Sequence, residues 1–174
     1  MTSQMAAEVR EIPTAAARLI DHGAPAIRAA ADAARIFNPA LIATVARGSS
    51  DHACTYLKYV AELTIGLPVA SVYGAKLRMA HALCLTVSQS GQSPDIVEMA
   101  RSAGAGGALT AAVTNYPESP LGQAVQHRLA LHAGTELSVA ATKTFVNSCV
   151  ATLWLIAEWA QDAAMARRVN EALA

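Results

Sequence analysis

The stretch Leu83-Cys84-Leu85-Thr86-Val87-Ser88-Gln89-Ser90-Gly91-Gln92-Ser93-Pro94-Asp95 decides the fold. It joins three signals in thirteen residues. A short apolar run is followed by a loop dense in hydroxyls and glycine, and then by a helix start. A continuous apolar run of this length suits a strand covered on both faces, as in a parallel sheet. Ser93-Pro94-Asp95 reads as N-cap, first helical position and an acid in the first turn.

The same strand-loop-helix unit recurs on either side. Ala40 to Ala46 is apolar, the polar loop Arg47-Gly48-Ser49-Ser50-Asp51-His52 follows, and a helix is predicted over about Ala53–Thr64. Pro68 to Tyr73 is a second strand candidate, Leu83 to Val87 a third, Ala108 to Thr114 a fourth, and Arg128 to His132 a fifth. Pro94 to Ala103 reads as a helix, Tyr116 to Pro120 as a turn, and about Val139 to Gln161 as a long helix rich in Leu, Ile and Trp. Strands alternating with helices imply an α/β fold: three layers, α/β/α, around a five-stranded parallel sheet. Ligands of such sheets lie beyond the carboxyl ends of the strands, so the loops after strands one, three and five are expected on one edge.

The first 37 residues read as two helices packing on this unit. Val9, Ile12, Ala16, Leu19 and Ile20 have helical spacing, His22-Gly23-Ala24-Pro25 is expected to break the chain, and a second helix runs to Phe37 before the stop at Asn38-Pro39. Residues 38–162 form the predicted domain, and residues 163–174 the start of a further helix or a linker.

Composition narrows the function classes. The 174 residues carry 13 basic and 13 acidic side chains, a formal net charge of zero. That argues against an electrostatic grip on nucleic acid or an anionic membrane. Hydrophobic residues make up 53% and charged residues 15%, which excludes disorder. No charge-free apolar stretch reaches the ~18 residues of a spanning helix. Three scattered cysteines, Cys54, Cys84 and Cys149, read as free thiols in a reducing compartment, and the N-terminus lacks the pattern of a signal peptide. A cytoplasmic protein is expected.

Three loops carry the chemistry: Gly48 to His52, Ser88 to Asp95, and Gly134-Thr135-Glu136 running on to Ala141-Thr142-Lys143. Each precedes a helix, whose free N–H groups and positive dipole end suit an anion. Serine and threonine add neutral donors for phosphate oxygens or sugar hydroxyls. Helix capping explains any one such loop, and three on one edge point to a phosphorylated ligand. Asp95 would compete with a bound anion for the same helix dipole.

Together the segments A-R-G-S-S-D-H-A, S-Q-S-G-Q-S-P-D and A-G-T-E-L-S-V-A-A-T-K-T-F resemble the signatures of the sugar isomerase (SIS) domain family, over roughly residues 5–165. The similarity is to the first of the two SIS domains in the isomerase half of glucosamine-6-phosphate synthase, and equally to two-SIS isomerases and amino-sugar-phosphate deaminases. It implies a flavodoxin-like sheet and a ligand of the fructose-6-phosphate or glucosamine-6-phosphate type, a phosphorylated hexose or hexosamine. It further implies that Ser88, Ser90 and Ser93 hold the phosphate and that Gln89 contacts phosphate or sugar. Ser49, Ser50 and the Val139 backbone would line the sugar side. Ser93 stands where the family often has Thr, Ala141 where the synthase has Ser, and Arg47 where it has a small residue. Thr2 occupies the place of the synthase's glutaminase cysteine, so no glutaminase domain is expected on this chain. The family's catalytic Glu and His lie in the second SIS domain, for which 174 residues leave no room. A non-catalytic sugar-phosphate sensor is the alternative to an isomerase or deaminase half, and a one-domain tetrameric isomerase is a third reading.

Proton transfer between C1 and C2 needs a base. Glu136 and His52 are the candidates, although Glu136 also suits capping of the next helix and His52 a structural place. Lys143 reads as a solvated lysine, with neutralisation of phosphate as the functional alternative. His127 and His132 lack an acid to complete a zinc set, so neither metal nor redox cofactor is expected. Gly104 to Gly107 precedes a strand and reads as a turn, and Trp154 and Trp159 read as core or subunit contact. Helices apolar on more than one face suggest a homodimer.

Overall fold

The computed structural model describes residues 3–74 and 78–171. Thr2, and the part of the expected C-terminal helix at residues 172–174, lie outside the described residues. Five strands, β1 (Leu41–Ala46), β2 (Val69–Ser71), β3 (Ala82–Val87), β4 (Leu109–Thr114) and β5 (His127–Ala130), form one sheet in the order β2-β1-β3-β4-β5, and every pairing is parallel. Among the described residues seven helices connect or flank them: α1 (Gln4–Arg10), α2 (Ile12–Phe37), α3 (Ser49–Thr64), α4 (Pro94–Ala105), the short α5 (Pro120–Gln123), α6 (Lys143–Trp159) and α7 (Ala163–Glu171).

Alternation along the strands builds two cores. Ile42 and Ala46 of β1, Leu83, Leu85 and Val87 of β3, and Leu109, Ala111 and Val113 of β4 face α2, α3 and α6. The intervening residues Ala43, Val45, Ala82, Cys84 and Ala112 face α4 and α5. All six residues of β3 and of β4 are buried. This explains why both read as continuous apolar runs: a period-2 pattern vanishes when each face is covered. The result is the three-layer arrangement expected.

The expected break at Gly23–Pro25 does not occur. α2 runs unbroken through both residues. Gly23 serves packing instead: a Cβ there would stand 2.9 Å from Leu19 Cδ1 and 3.7 Å from the Trp154 ring. Its bare Cα lets α2 settle onto Trp154 of α6, and that burial outweighs the backbone hydrogen bond lost at Pro25. The chain turns earlier, at Glu11, which separates α1 from α2.

Two helix starts also differ. α3 begins at Ser49 rather than near Ala53, so both serines of the first loop sit in its opening turn. α6 begins at Lys143 rather than Val139, which leaves residues 131–142 without regular structure. β5 ends at Ala130 before the expected His132, whose φ of 52° is left-handed and cannot extend a strand. Trp154 is buried in the core, and Gly106 and Gly107 form the turn into β4.

Asn147 of α6 fastens this architecture to the candidate site. It is fully buried, and its Nδ2 donates to the Ala15 carbonyl of α2 at 2.9 Å and to the Leu131 carbonyl beyond β5 at 2.7 Å. Replacing Asn147 by Ala strands both carbonyls away from water. Thermal or denaturant unfolding is expected to show a loss of about 2–3 kcal/mol.

Candidate functional site

In the order β2-β1-β3-β4-β5, successive connections leave β1 to opposite sides, so a crevice opens beyond the carboxyl ends of β1 and β3. The structure places a cavity of about 300 Å³ there, lined by Arg47, Gly48, Ser49, Ser50, Gln89, Glu136, Ser138, Val139 and Ala141. That volume falls at the lower end of the ~300–1,000 Å³ range of small-molecule sites. The loops after β1, β3 and β5 all contribute, as the strand pattern requires.

The first loop turns at Gly48, whose φ of 55° and ψ of −130° favour glycine. The N–H groups of Ser50 and Asp51 bond back to the Arg47 and Gly48 carbonyls at 3.2 and 3.0 Å. Tyr73 closes the end of β1 by donating its hydroxyl to the Ala46 carbonyl at 2.7 Å.

The second loop is tightly tied. The Gln89 carbonyl accepts from the Asn115 N–H at 3.1 Å and from the Thr114 hydroxyl at 3.3 Å. Ser88 Oγ accepts the Gly91 N–H at 3.2 Å, and Ser90 Oγ accepts the Gln92 N–H at 3.3 Å. A hydroxyl that accepts in this way keeps its own proton to donate to a ligand oxygen. Gly91 is required twice over: its φ is +63°, and a Cβ would lie 2.0 Å from Ser119 Oγ. Ser93 is the N-cap residue of α4 but makes no side-chain cap bond. Asp95, expected to compete with a bound anion, pairs with Arg47 at 2.6 Å and so ties the second loop to the first.

The third loop is shaped by carboxylates. Glu136 is buried, and its Oε1 accepts the N–H and hydroxyl of Thr142 at 3.0 and 2.9 Å and the N–H of Thr144 at 3.2 Å. Its Oε2 accepts the Thr144 hydroxyl. Burial alone would raise its pKa, but the bonds from Thr144 and Thr142 outweigh burial and hold it below the ordinary 4.5. Glu8, reaching over from α1, accepts the N–H groups of Leu137 and Ser138 at 2.7 and 3.2 Å. Hydrogen bonds from Ser138 and Leu137 depress its pKa as well.

Lys143 is not the solvated lysine expected. It is 1% exposed, and its Nζ donates to Glu11 Oε2 at 2.6 Å and to the Thr135 carbonyl at 2.7 Å. A buried ammonium must be paired, and Glu11 pairs it from the α1–α2 turn.

The sequence-derived residues therefore divide. Ser49, Ser50, Gln89 and Val139 line one cavity together with Glu136. Ser88 and Ser90 sit in the adjoining turn, Ser88 buried and Ser90 half-buried, and Ser93 lies at the head of α4. Thr135 lines a neighbouring cavity instead. His52 is exposed on α3 and is not among the residues lining the first cavity. The walls are not uncharged, since Arg47 and Glu136 form part of them. Sequence reasoning missed Glu8 and Glu11, whose contacts span some 130 residues and leave no local pattern.

Comparison with known proteins follows this geometry. The family model of the SIS domain matches residues 36–158. The chain belongs to the SIS domain family. A glutamine–fructose-6-phosphate aminotransferase (isomerizing) from Thermosynechococcus vestitus is 36% identical over 146 residues, covering 75% of this chain and 23% of that protein. The crystal structure of a candidate phosphosugar isomerase from Silicibacter pomeroyi superposes with a TM-score of 0.89 at 53% identity, covering 96% of this chain and 54% of that one. The Vibrio vulnificus NanR protein, solved with ManNAc-6P, shares the fold at a TM-score of 0.73 and 19% identity, over 96% of this chain and 65% of that one. This SIS chain thus spans about a quarter of the aminotransferase and about half of the Silicibacter structure.

Because Glu136 titrates lower when folded than unfolded, its contribution is present above pH 4.5 and is lost as pH falls through the depressed value. Glu136→Gln should destabilise the protein by about 2 kcal/mol at pH 7. Below pH 4.5 its melting temperature should fall less steeply than the wild type's, as read by thermal unfolding across pH.

Proposed function

We propose that this SIS domain binds a phosphorylated hexose or hexosamine at the carboxyl edge of its sheet, of the fructose-6-phosphate or glucosamine-6-phosphate type. The observation that carries the reading is the convergence of the loops after β1, β3 and β5 on one cavity. In this reading the phosphate sits against the Ser88–Ser93 turn and the start of α4, held by the Ser88, Ser90 and Ser93 hydroxyls and by Gln89. Hydroxyls suit this task because they turn to meet each phosphate oxygen, and the dipole of α4 adds a favourable field. Ser49, Ser50 and the Val139 backbone then face the sugar. Arg47 stands at the wall with its charge already met by Asp95, so it contributes position more than net charge.

The proposed context is the first half of a two-SIS aldose–ketose isomerase or amino-sugar-phosphate deaminase, or an aminotransferase-like protein without a glutaminase part. The complete enzyme would open the sugar ring and move a proton between C1 and C2 by acid–base catalysis. In this reading neither candidate base is placed to do so. Both Glu136 oxygens are committed to Thr142 and Thr144, and His52 lies outside the cavity wall. That observation favours binding without turnover for the isolated chain, and it keeps a sugar-phosphate sensor as the second reading. No described helix is long and apolar enough to cross a membrane. The free thiols of Cys54, Cys84 and Cys149 fit the proposed cytoplasmic setting, and a homodimer remains the proposed assembly.

Fructose 6-phosphate or glucosamine 6-phosphate should raise the melting temperature of the wild type, and the Ser88→Ala/Ser90→Ala double variant should lose that rise. An unchanged rise in the variant would remove the phosphate from this turn. Isomerase or deaminase activity by the 174-residue chain alone would overturn the assignment of the base to another domain.

A further inference from the structure

A second cavity at the same edge has no part in the sugar-phosphate reading. It measures about 360 Å³ and is lined by Arg18, Asn115, Tyr116, His132, Gly134 and Thr135. α2 supplies one wall, and the chain beyond β4 and β5 supplies the others. No carboxylate lines it.

Its charges are all of one sign. Arg18 donates Nε to the His132 carbonyl and Nη2 to the Ala133 carbonyl, each at 3.0 Å. These bonds fix the guanidinium plane but leave its charge intact, because both acceptors are neutral. Among the described residues no carboxylate forms an ion pair with Arg18, His22 or His132. Gly134 lets the guanidinium approach closely, since a Cβ there would stand 3.2 Å from Nη2. His132, in its left-handed conformation, brings its ring to 5.6 Å from that of His22, centroid to centroid. The groups facing His132 are Arg18 and His22 from α2 and Tyr116 from the loop after β4. Burial, then His22, then Arg18 push the His132 pKa down, so an anion entering this cluster would reverse the last two effects.

We propose that this cavity binds a phosphoryl dianion, as free phosphate or as the phosphomonoester of a small metabolite, through Arg18 and His132. The hydroxyls of Tyr116 and Thr135, on the same walls, supply neutral donors. Arginine's fork suits phosphate, and the His132 imidazole beside it gains a proton as the dianion arrives. Gly134 and Thr135 wall this cavity, while the next residues Glu136, Ser138 and Val139 wall the first. One loop thus separates the two sites.

The test is histidine NMR on the whole chain, titrated from pH 5 to 8 with inorganic phosphate in one arm and glycerol 3-phosphate in the other, against sodium chloride of equal ionic strength. Saturable binding should raise the midpoint of His132 by about half a pH unit or more. A response in either arm supports the site, and the arm that responds more identifies its ligand form. A midpoint that tracks the chloride control in both arms overturns it. Arg18→Gln should weaken phosphate binding about tenfold. Arg18 also ties α2 to the chain after β5, so His132→Asn, which tolerates the left-handed backbone, serves as the second variant. It should weaken binding mainly at the acid end of the titration, where His132 is protonated. Wild-type affinity in both variants overturns the proposal. The Ser88→Ala/Ser90→Ala variant should keep the histidine response, so a failure of the first cavity's reading remains separate.

Discussion

The contact on which the site depends is a buried carboxylate. Glu136 takes hydrogen bonds from Thr142 and Thr144 on both of its oxygens, and it does so where twelve residues have no regular structure. A segment of that length has no ladder to satisfy its backbone, so side chains must fix its course. Glu136 does this from within, Glu8 from α1, and Asn115 and Arg18 hold its beginning. Ionised acceptors make stronger hydrogen bonds than neutral ones, which is why carboxylates rather than amides occupy these places. The polar residues of this loop therefore serve two masters. Glu136 shapes the cavity and thereby forfeits the freedom a proton-transferring base requires.

Much of the architecture was legible because the residues that specify it are local. Ala40–Ala46, Leu83–Val87 and Ala108–Thr114 are apolar but for threonines, and each became a strand buried on both faces. The loops after them held glycines and hydroxyls, and those after β1 and β3 stand beside one crevice. Departures arose where distant packing overruled a local signal. Gly23 and Pro25 spell a helix break in isolation, yet Trp154, some 130 residues away, makes a small residue the better fit. Lys143 was misread for the same reason, since nothing near it in sequence announces Glu11. Glu136 was half legible, because its spacing to Thr142 and Thr144 hinted at capping, and the structure shows capping as its contact.

The two cavities illustrate how one sheet edge supports different chemistries. The first has hydroxyls, a paired arginine and a committed carboxylate. The second has an arginine, an imidazole and, among the described residues, no acid on its walls. The difference follows from the elements behind them. Helix starts supply the first, whereas the side of α2 supplies the second. Neither contrast is visible in a net charge of zero, which averages over the whole surface.

The pairing of Lys143 with Glu11 has a practical consequence for how this unit is delimited. The family match begins at residue 36, and trimming to that point would appear to preserve every strand. It would also delete Glu8, Glu11 and Arg18, and with them the counter-ion of Lys143 and the ties that hold the loop after β5. The two N-terminal helices therefore pack as part of this unit, ahead of the residue at which the family model starts.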